Sequence, residues 1–513
     1  MSAARPVTAV AAPHPAAVAA AAAAVRRGGN AIDAALAAAA VLTVVYPHQC
    51  ALGGDLIALA RVPGQDGATA VLSAGAQPAG LDIDALAGAP MPRRGIRTVT
   101  VPGVVAGWSA LAGLGAALPL GEALAGAALL ARDGIAVSAG LARGLAEQRA
   151  AVLADPGLRA VFAPAGEIAG PGDVIRQPAL AATLHELAGD QESFYRGPVA
   201  ARLAAGLAAL GGDHTAADLA AHRPEVVPAL ERRDELGRWW VAPPPSQGAL
   251  LLGVLPVALA PGRAAAAADP LVEWCVRAMA VRDRELGDPR GGPIDVGAMT
   301  SLTLSAGVQS PPSGRALGDT VAISAVDADG LAVCLIQSVF QTFGAGLLEP
   351  RTGIVLHNRG AAFSTDPRSP AALRPGIRPP HTLCPAIFSG AGRLVALGCQ
   401  GGRAQPWILA QVAADLAAGE VPPAPVLARP RWVVGARDLG HDRTVLLAEP
   451  GAARAVAAAA ALGLPVIEAA GPLDEAGHVQ AAVLETASGV LHAATDPRAD
   501  GQAAVIEGPR PLA

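Results

Sequence analysis

The sequence has few of the residues that mark a disulfide scaffold, a metal centre or a polyanion-binding surface. Its 513 residues include only five cysteines, without paired spacing, which argues against a disulfide framework and favours a reducing compartment. No CxxC motif or His/Cys cluster predicts a metal site. Lysine is absent, and 38 basic against 43 acidic residues give a net charge of −5 without a basic run. We therefore expect no nucleic-acid partner.

Long hydrophobic runs are also missing, although 52% of the residues are hydrophobic. Aromatic residues make up only 3%, so Leu, Val, Ile and Ala must fill the core. The apolar stretch Leu250–Ala260 is too short to span a bilayer, and Pro256 interrupts it. Near the N-terminus an alanine-rich run precedes its basic residues, the reverse of a secretory signal. These features predict a cytoplasmic protein with no membrane partner.

The order of the predicted elements indicates helices packed on sheets. HPAAVAAAAAAVRR predicts a first helix, and a second helix follows with Asn30 as its cap. LIALARV and ATAVLSA are typical of strands, whereas residues 100–290 are predicted to be mostly helical. Residues 291–319 are rich in Gly, Ser and Pro, which predicts a flexible loop. Strand runs mixed with long helices favour an α/β architecture.

The sharpest local pattern is a hairpin that begins directly after this loop. TVAISAV and LAVCLIQSV are typical strands, and the turn DADG between them carries the Asp-Gly pair that hairpins favour. If the bond between Asp319 and Thr320 is cut, Thr320 gains a free α-amine that titrates near pH 8 and can act as base for its own hydroxyl. The alternative is an ordinary β-forming threonine at the start of a strand.

A second candidate feature is the glycine pair Gly401 and Gly402, which follows the apolar run RLVAL. Adjacent glycines after a strand allow backbone N–H groups to point at an anion, which is the geometry of an oxyanion hole. The alternative is a simple turn between a strand and a helix.

Several blocks of sequence, in order along nearly the whole chain, resemble the gamma-glutamyltransferase family of N-terminal nucleophile hydrolases. These blocks are RRGGNAIDAALAAA, YPHQCALGGD, GDTVAISAVDADGLAVCLIQS, FGAGLLEPRTGIVLHNRGAAFS, PGIRPPHTLCPAIF and DPRADGQAA. The resemblance implies a four-layer αββα sandwich and autocleavage into a large subunit, residues 1–319, and a small subunit, residues 320–513. The two subunits would form a heterodimer without metal or cofactor, and a dimer of such heterodimers is left open.

The resemblance also implies roles for individual residues. It places the nucleophile at Thr320, a hydroxyl near the free amine at Ser338, and the oxyanion glycines at Gly401 and Gly402. Three further positions of the family's substrate pocket fall on His381, Thr382 and Phe340.

Two anchors that gamma-glutamyl enzymes use for their substrate are absent from this sequence. The stretch of residues 73–78 lacks the Arg that clamps the α-carboxylate, and Ala362 stands where an Asp would hold the α-amino group. Losing one partner of a buried charge pair costs about 2–5 kcal/mol. We therefore expect poor cleavage of glutathione.

NRGAAFS and PGIRPPHTL are closer to the branch that includes oxamate amidohydrolase and certain cephalosporin acylases. Arg359 and His381 could bind a small carboxylate or oxalyl group there, since Arg offers a planar fork suited to carboxylates, and Arg403 is a weaker candidate. The alternatives are a loop salt bridge for Arg359, a loop histidine for His381 and a surface residue for Arg403. His48 and Asp55 are expected to shape the Gly-Gly loop between them, with a substrate role as the alternative.

The expected reaction is acyl transfer from a small-molecule amide to water, with a small acidic or oxo-acyl group on the substrate. Three alternatives stay open. The enzyme could hydrolyse a carbon–carbon bond next to a 2-oxo or oxalyl group in natural-product biosynthesis of the alkylproline type, such as an antibiotic pathway. It could act on glutathione-like gamma-glutamyl substrates, or the chain could be an inactive scaffold of the same fold.

Overall fold

A computed structural model describes residues 7–86, 90–303, 319–436 and 439–509. The helices are α1 Pro15–Arg26, α2 Ala31–Val45, α3 Val104–Ala112, α4 Leu120–Asp133, α5 Ala139–Glu147, α6 Arg149–Ala154, α7 Pro156–Phe162, α8 Pro178–Gly189, α9 Ser193–Arg196, α10 Pro198–Ala209, α11 Ala216–Ala221, α12 Gly248–Ala258, α13 Leu271–Glu285, α14 Val296–Ser301, α15 Gln405–Ala418, α16 Pro423–Leu427 and α17 Ala453–Ala461.

The strands are β1 Val7–Ala12, β2 Asp55–Arg61, β3 Thr69–Ser73, β4 Ile135–Ala136, β5 Val174–Ile175, β6 Glu225–Pro228, β7 Leu230–Arg233, β8 Gly237–Val241, β9 Asp319–Asp327, β10 Ala332–Phe340, β11 Leu348–Glu349, β12 Ile354–Val355, β13 Ala386–Gly390, β14 Arg393–Cys399, β15 Trp432–Gly435, β16 Val445–Ala448, β17 Val466–Glu468, β18 Val479–Glu485, β19 Leu491–Thr495 and β20 Gln502–Glu507.

Two stacked sheets form the centre of the molecule. A seven-stranded sheet has the order β20-β1-β9-β10-β2-β3-β6, and a six-stranded sheet has the order β19-β18-β14-β13-β8-β7. An apolar layer that includes Ile57, Ile336 and Ile387 lies between the sheets. The outer face of the first sheet packs on helices such as α2 and α3, and that of the second on α12 and α15. The predicted four-layer αββα sandwich is therefore confirmed.

The predicted hairpin is present and lies in the middle of the first sheet. β9 and β10 pair antiparallel, and the Asp327 carboxylate accepts the N–H groups of Asp329 and Leu331 to close the turn. All residues of both strands are buried, because helices cover one face and the second sheet the other. The register shifts between Gln337 and Phe340, and Phe340 has a φ of 78°. This is a costly conformation for an aromatic residue, and it occurs at the end of the strand beside Thr320.

The two N-terminal helices also agree with the sequence. The His14 side chain accepts the Ala16 N–H at the start of α1. Asn30 caps α2, and Asp33 returns a hydrogen bond to the Asn30 N–H, which completes a capping box. Both helices pack as part of the apolar layer outside the first sheet. Together they fix the path of the chain towards β2.

Residues 100–290 are mostly helical, as predicted, but they also hold strands that the sequence did not indicate, since β6 extends the first sheet while β7 and β8 extend the second. β6 and β7 alternate half-buried and exposed positions, and alanine-rich helices on either side hid that pattern. One prediction needs correction. The segment 291–319 is not all loop, because α14 lies within it with Asp295 as its cap. The loop predicted for residues 304–318 lies outside the described residues.

Among the described residues, no helix combines the length and the apolar character that crossing a membrane requires.

Candidate active site

Thr320 lies near the start of β9 and is 1% exposed. Its Oγ1 donates to Ser338 Oγ at 3.1 Å, and Ser338 Oγ donates in turn to the carbonyl oxygen of Asp319 at 2.6 Å. The Phe340 N–H donates to the same Ser338 oxygen at 2.8 Å, so the hydroxyl is fixed from three sides. The hairpin thus places two hydroxyl groups in series beside the peptide bond that precedes Thr320.

The side chain of Asp319 is buried beside this peptide bond. Thr342 Oγ1 donates to its carboxyl group, and the Arg94 guanidinium holds the Thr342 carbonyl at 3.0 Å. Burial raises the pKa of Asp319 to about 8, above the ordinary value of 3.8, although the bond from Thr342 acts in the opposite direction. The carboxyl is therefore mostly protonated at neutral pH.

The glycine pair lies at the junction of β14 and α15. Gly401 has a φ of 138° and Gly402 a φ of 53°, which residues other than glycine rarely adopt. The Gln247 side chain fixes this turn, because its Nε2 donates to the Gly402 carbonyl at 3.0 Å and to the Thr382 carbonyl at 2.7 Å. Arg282 Nε holds the Gln247 oxygen at 3.0 Å. The glycine turn and Thr382 are therefore held together by one amide group.

Arg359 is a buried cation, 1% exposed, at the start of the short helical turn Arg359–Ala362. Its Nη2 donates to Thr382 Oγ1 at 3.3 Å, and its guanidinium carbon lies 3.8 Å from the centre of the Phe340 ring. Nη1 has no hydrogen-bond partner, and no carboxylate forms an ion pair with Arg359, among the described residues. Burial lowers the pKa of Arg359 to about 9, against the raising effect of the Asp55 charge. The loop salt bridge considered as an alternative is absent from the part of the chain described.

His381 is fully buried and uses both ring nitrogens within the protein. Nδ1 accepts the Leu383 N–H at 3.4 Å, and Nε2 lies 3.2 Å from Asp55 Oδ2. Burial and the nearby Arg359 charge lower the pKa of His381 to about 3. A neutral imidazole with these partners forms a fixed wall of the site, beside Thr382.

Arg403 is buried, unlike the surface residue considered as the alternative. Its guanidinium pairs with the Asp283 carboxylate of α13, next to Arg282. This pair ties the start of α15 to α13.

Sequence reasoning missed Gln247 and His357, and for Asp55 it favoured a loop-shaping role over a substrate role. Gln247 follows PPPS and precedes an apolar helix, and nothing in that pattern indicates a contact 155 residues away. His357 lies 3.4 Å from the Asp55 carboxylate. The signal that could have found Asp55 was an acidic residue at the start of an otherwise apolar strand.

Two other groups near the site are chemically quiet. Cys384 and Cys399 are buried, and burial raises the pKa of both thiols well above the ordinary value. Within the described ranges, no group of three or more His, Cys, Asp or Glu side chains could hold a metal ion.

A threonine at the start of a central strand, a second hydroxyl beside it and a glycine turn in an αββα sandwich define an N-terminal nucleophile hydrolase, and the chain is an enzyme of this class. Residues 17–506 match the sequence model of the family described as Gamma-glutamyltranspeptidase. The chain belongs to this family, which confirms the resemblance found in the sequence.

Individual relatives match over almost the full length. The chain is 39% identical to the oxamate amidohydrolase proenzyme of Klebsiella pneumoniae, covering 96% of this chain and 97% of that protein. It is 30% identical to the glutathione hydrolase-like YwrD proenzyme of Bacillus subtilis, covering 97% and 98%. The crystal structure of a cephalosporin acylase from Bacillus halodurans superposes with a TM-score of 0.84 at 29% identity, covering 98% of this chain and 96% of that one. The chain thus resembles amide-cleaving enzymes.

Proposed function

We propose that the chain is a proenzyme that cuts itself between Asp319 and Thr320 and then hydrolyses an amide whose acyl group is a small acid or oxo-acid. The products of the cut are a large subunit, residues 1–319, and a small subunit, residues 320–513, which stay together as a heterodimer. Relatives named as proenzymes support the processing step. The observation that carries the proposal is the hydrogen-bonded series from Thr320 through Ser338 to the Asp319 carbonyl.

This series supplies a route for self-cleavage. Thr320 Oγ1 attacks the carbonyl carbon of Asp319 while its proton passes to Ser338, and the Ser338 proton passes to the carbonyl oxygen. The C–N bond then breaks as the hydroxyl of the tetrahedral intermediate gives its proton to the nitrogen of Thr320, which re-forms the carbonyl and leaves an ester on Oγ1. Water hydrolyses this ester and frees the α-amine and the hydroxyl of Thr320.

Turnover repeats the same chemistry on a substrate amide. The free α-amine of Thr320, with an ordinary pKa near 8, accepts the hydroxyl proton as Oγ1 attacks the substrate carbonyl. Backbone N–H groups at Gly401 and Gly402 stabilise the oxyanion, and their special φ values fix this geometry before the substrate arrives. The amine leaves with the proton, and water then attacks the ester to release the acid.

Arg359 supports an acidic acyl group on the substrate. A buried guanidinium that has, within the described part of the chain, neither a partner for Nη1 nor a carboxylate beside it is suited to receive a substrate carboxylate. Phe340 stacks on the guanidinium and Thr382 holds its other nitrogen, so the orientation of Arg359 is fixed in advance. Because oxamate is an amide with an adjacent carboxylate, it is the first compound to assay.

A gamma-glutamyl zwitterion fits this site poorly. In the stretch without the expected Arg, a Cβ atom at Gly75 would overlap the Val101 carbonyl oxygen, so this position cannot carry a clamp. Ala362 offers no carboxylate for the substrate amino group. We therefore propose that glutathione is at best a poor substrate.

The test is a Thr320→Ala variant beside the wild type and a Thr320→Ser variant. We expect wild-type protein to yield two fragments, with Thr320 found at a new N-terminus by sequencing. Thr320→Ala should stay uncut and inactive, whereas Thr320→Ser, which keeps a hydroxyl, should be cut slowly. An uncut wild-type protein that turns over substrate would contradict the proposal.

The same preparation separates the substrate classes. We expect ammonia release from oxamate to exceed glutamate release from a gamma-glutamyl anilide. Faster hydrolysis of the anilide would show that the acyl pocket has been misread. Turnover of only a 2-oxo compound at a carbon–carbon bond would favour the C–C hydrolase alternative, and a cut but inert protein would favour the scaffold.

A further inference from the structure

We propose that Asp55 is a positioning residue of the acyl pocket, which orients the imidazole of His381 and supplies the counter-charge of the Arg359 guanidinium. The inference rests on the proposed function in one respect, the role of Arg359 as the receptor for a substrate carboxylate.

Asp55 is the first residue of β2 and lies directly opposite Ser338 in the sheet, so its carboxylate is one strand away from the hairpin that carries Thr320. The side chain is completely buried. Oδ1 accepts the Gly75 N–H at 3.2 Å, while Oδ2 lies 3.2 Å from His381 Nε2 and 3.4 Å from His357 Nδ1. Three segments of the chain therefore meet on one carboxylate.

The remaining contacts of His381 decide which of its ring nitrogens carries hydrogen. The Leu383 N–H donates to His381 Nδ1, so the hydrogen of a neutral ring lies on Nε2 and points at Asp55. His357 is held differently, because the N–H, hydroxyl and carbonyl groups of Thr100 surround its Nε2 at 3.0–3.1 Å, and its Nδ1 lies near Asp55 without a hydrogen bond among the described residues. The His381 imidazole is thus a donor to Asp55 Oδ2, and only an acceptor at position 55 can hold it.

His381 connects the ring orientation fixed by Asp55 to the groups that would bind the substrate. Thr382 is the next residue, and its Oγ1 holds Nη2 of Arg359 while its carbonyl is held by Gln247. An imidazole turned away from Asp55 would move Thr382 and with it the guanidinium. Asp55 therefore acts on Arg359 through His381 without touching it.

The charge of Asp55 also compensates that of Arg359. An isolated buried cation is costly, and burial lowers the pKa of Arg359, whereas the Asp55 charge raises it. Burial alone would raise the pKa of Asp55, but the two histidines lower it below the ordinary value, so Asp55 is ionised. The other titratable groups that face this pair are His222, Tyr195 and Arg282.

The separation of the two charges explains why the site can bind. A direct ion pair would occupy the guanidinium, but the Asp55 oxygens accept hydrogen bonds from Gly75 and His381. Arg359 is therefore balanced electrostatically, while Nη1 has no hydrogen-bond partner among the described residues. A carboxylate can bind there without first displacing a protein carboxylate.

The test measures binding of oxalate to the processed enzyme by calorimetry from pH 6 to 10 in wild type and in Asp55→Asn. Asparagine offers one acceptor oxygen where the Asp55 carboxylate accepts from both the Gly75 N–H and His381 Nε2, and it removes the counter-charge. We expect affinity for oxalate to fall about tenfold or more at neutral pH. In wild type, affinity for oxalate should fall at alkaline pH as Arg359 loses its proton, and in Asp55→Asn this fall should begin at a lower pH. A purely structural role for Asp55 would lower affinity without changing the pH at which this alkaline fall, the pH limb, begins.

Controls separate this inference from the function it rests on. Asp133→Asn removes an exposed carboxylate paired with Arg132 and should leave oxalate binding unchanged. Arg359→Met should abolish oxalate binding, and if it does not, the proposed carboxylate receptor is wrong. If Arg359→Met abolishes binding but Asp55→Asn matches wild type in affinity and pH limb, the role of Asp55 is overturned.

A measurement on the wild-type enzyme keeps the inference testable if Asp55→Asn fails to fold or mature. Nitrogen-15 NMR of labelled histidine should show His381 neutral with hydrogen on Nε2 from pH 5 to 9. A ring with hydrogen on Nδ1, or one that ionises within this range, would contradict the assignment.

Discussion

Two buried arginines show how differently the same side chain is used in this fold. Arg431 donates to the carbonyls of Ala476, Leu427 and Gly477 and pairs with the Asp496 carboxylate. Arg359 is equally buried, yet it makes one hydrogen bond to a threonine hydroxyl and stacks on Phe340, with Nη1 left free. The protein supplies the hydrogen bonds and the counter-ion of Arg431, whereas it orients Arg359 but leaves part of the hydrogen-bonding capacity of its guanidinium unused.

The difference distinguishes an arginine that supports the fold, Arg431, from one that is suited to bind a ligand, Arg359. Arg431 links β15 to the turn before β18 and to the C-terminal DPRADG segment, in a network with Arg498 and Glu449. Through that network the charges of DPRADG fix the C-terminal loop. A buried cation without such partners costs stability, and it persists where a ligand can complete its interactions.

The largest expected effect concerns the satisfied arginine. Arg431→Met should lower the free energy of unfolding by about 3–5 kcal/mol, because the buried Asp496 carboxylate would lose one of its two arginine partners and the carbonyls of Ala476 and Gly477 would lose their Arg431 donor. Thermal unfolding followed by circular dichroism measures the loss. A variant as stable as wild type would show that the network is not a structural support.

The second expected effect concerns the unsatisfied arginine. Arg359→Met should lower kcat/KM for a carboxylate-bearing amide by about a hundredfold, which is within the range for a charge partner lost from a binding site. Its melting temperature should equal or exceed that of wild type, since a buried charge without an ion-pair partner is removed. A large loss of stability would erase the distinction from Arg431.

The smallest effect tests a third buried charge, the carboxyl of Asp319. In the folded state the pKa of this carboxyl is about 8, above its ordinary value of 3.8. The stability that the carboxyl contributes is therefore fully present below pH 4 and is lost as the pH rises towards 8. In the uncut Thr320→Ala background, Asp319→Asn should therefore raise the melting temperature more at pH 8 than at pH 5, by about 2 °C or more. Equal changes at both pH values would contradict the shifted pKa.

Much of the fold could be predicted because local patterns and the family resemblance agreed. The DADG turn, the Asn30 cap and the glycine pair each carry a local signal that the structure reproduces. The short strands β6, β7 and β8 were missed because four or five residues with half-buried positions give little periodicity within alanine-rich helices. Their place in the sheets comes from pairing with distant strands.

The candidate site was less predictable than the fold. The sequence singled out Thr320, Ser338 and Arg359, and the structure brings Ser338 to Thr320 and Phe340 to Arg359. It also gives His381 a partner in Asp55, 326 residues away, which no spacing could indicate. Polar groups that act through such contacts, including Gln247, depend on the tertiary fold and leave no local pattern.

The strand order of the first sheet bears on what a cut after Asp319 would do. β1 lies between β20 and β9, and β10 pairs with β2, so strands from both sides of position 319 alternate within one sheet. Each half would lack the neighbours that its own strands need, and neither could fold alone. Refolding after a cut would then require two separate fragments to associate. Unfolding would therefore be irreversible under conditions from which the uncut chain could recover.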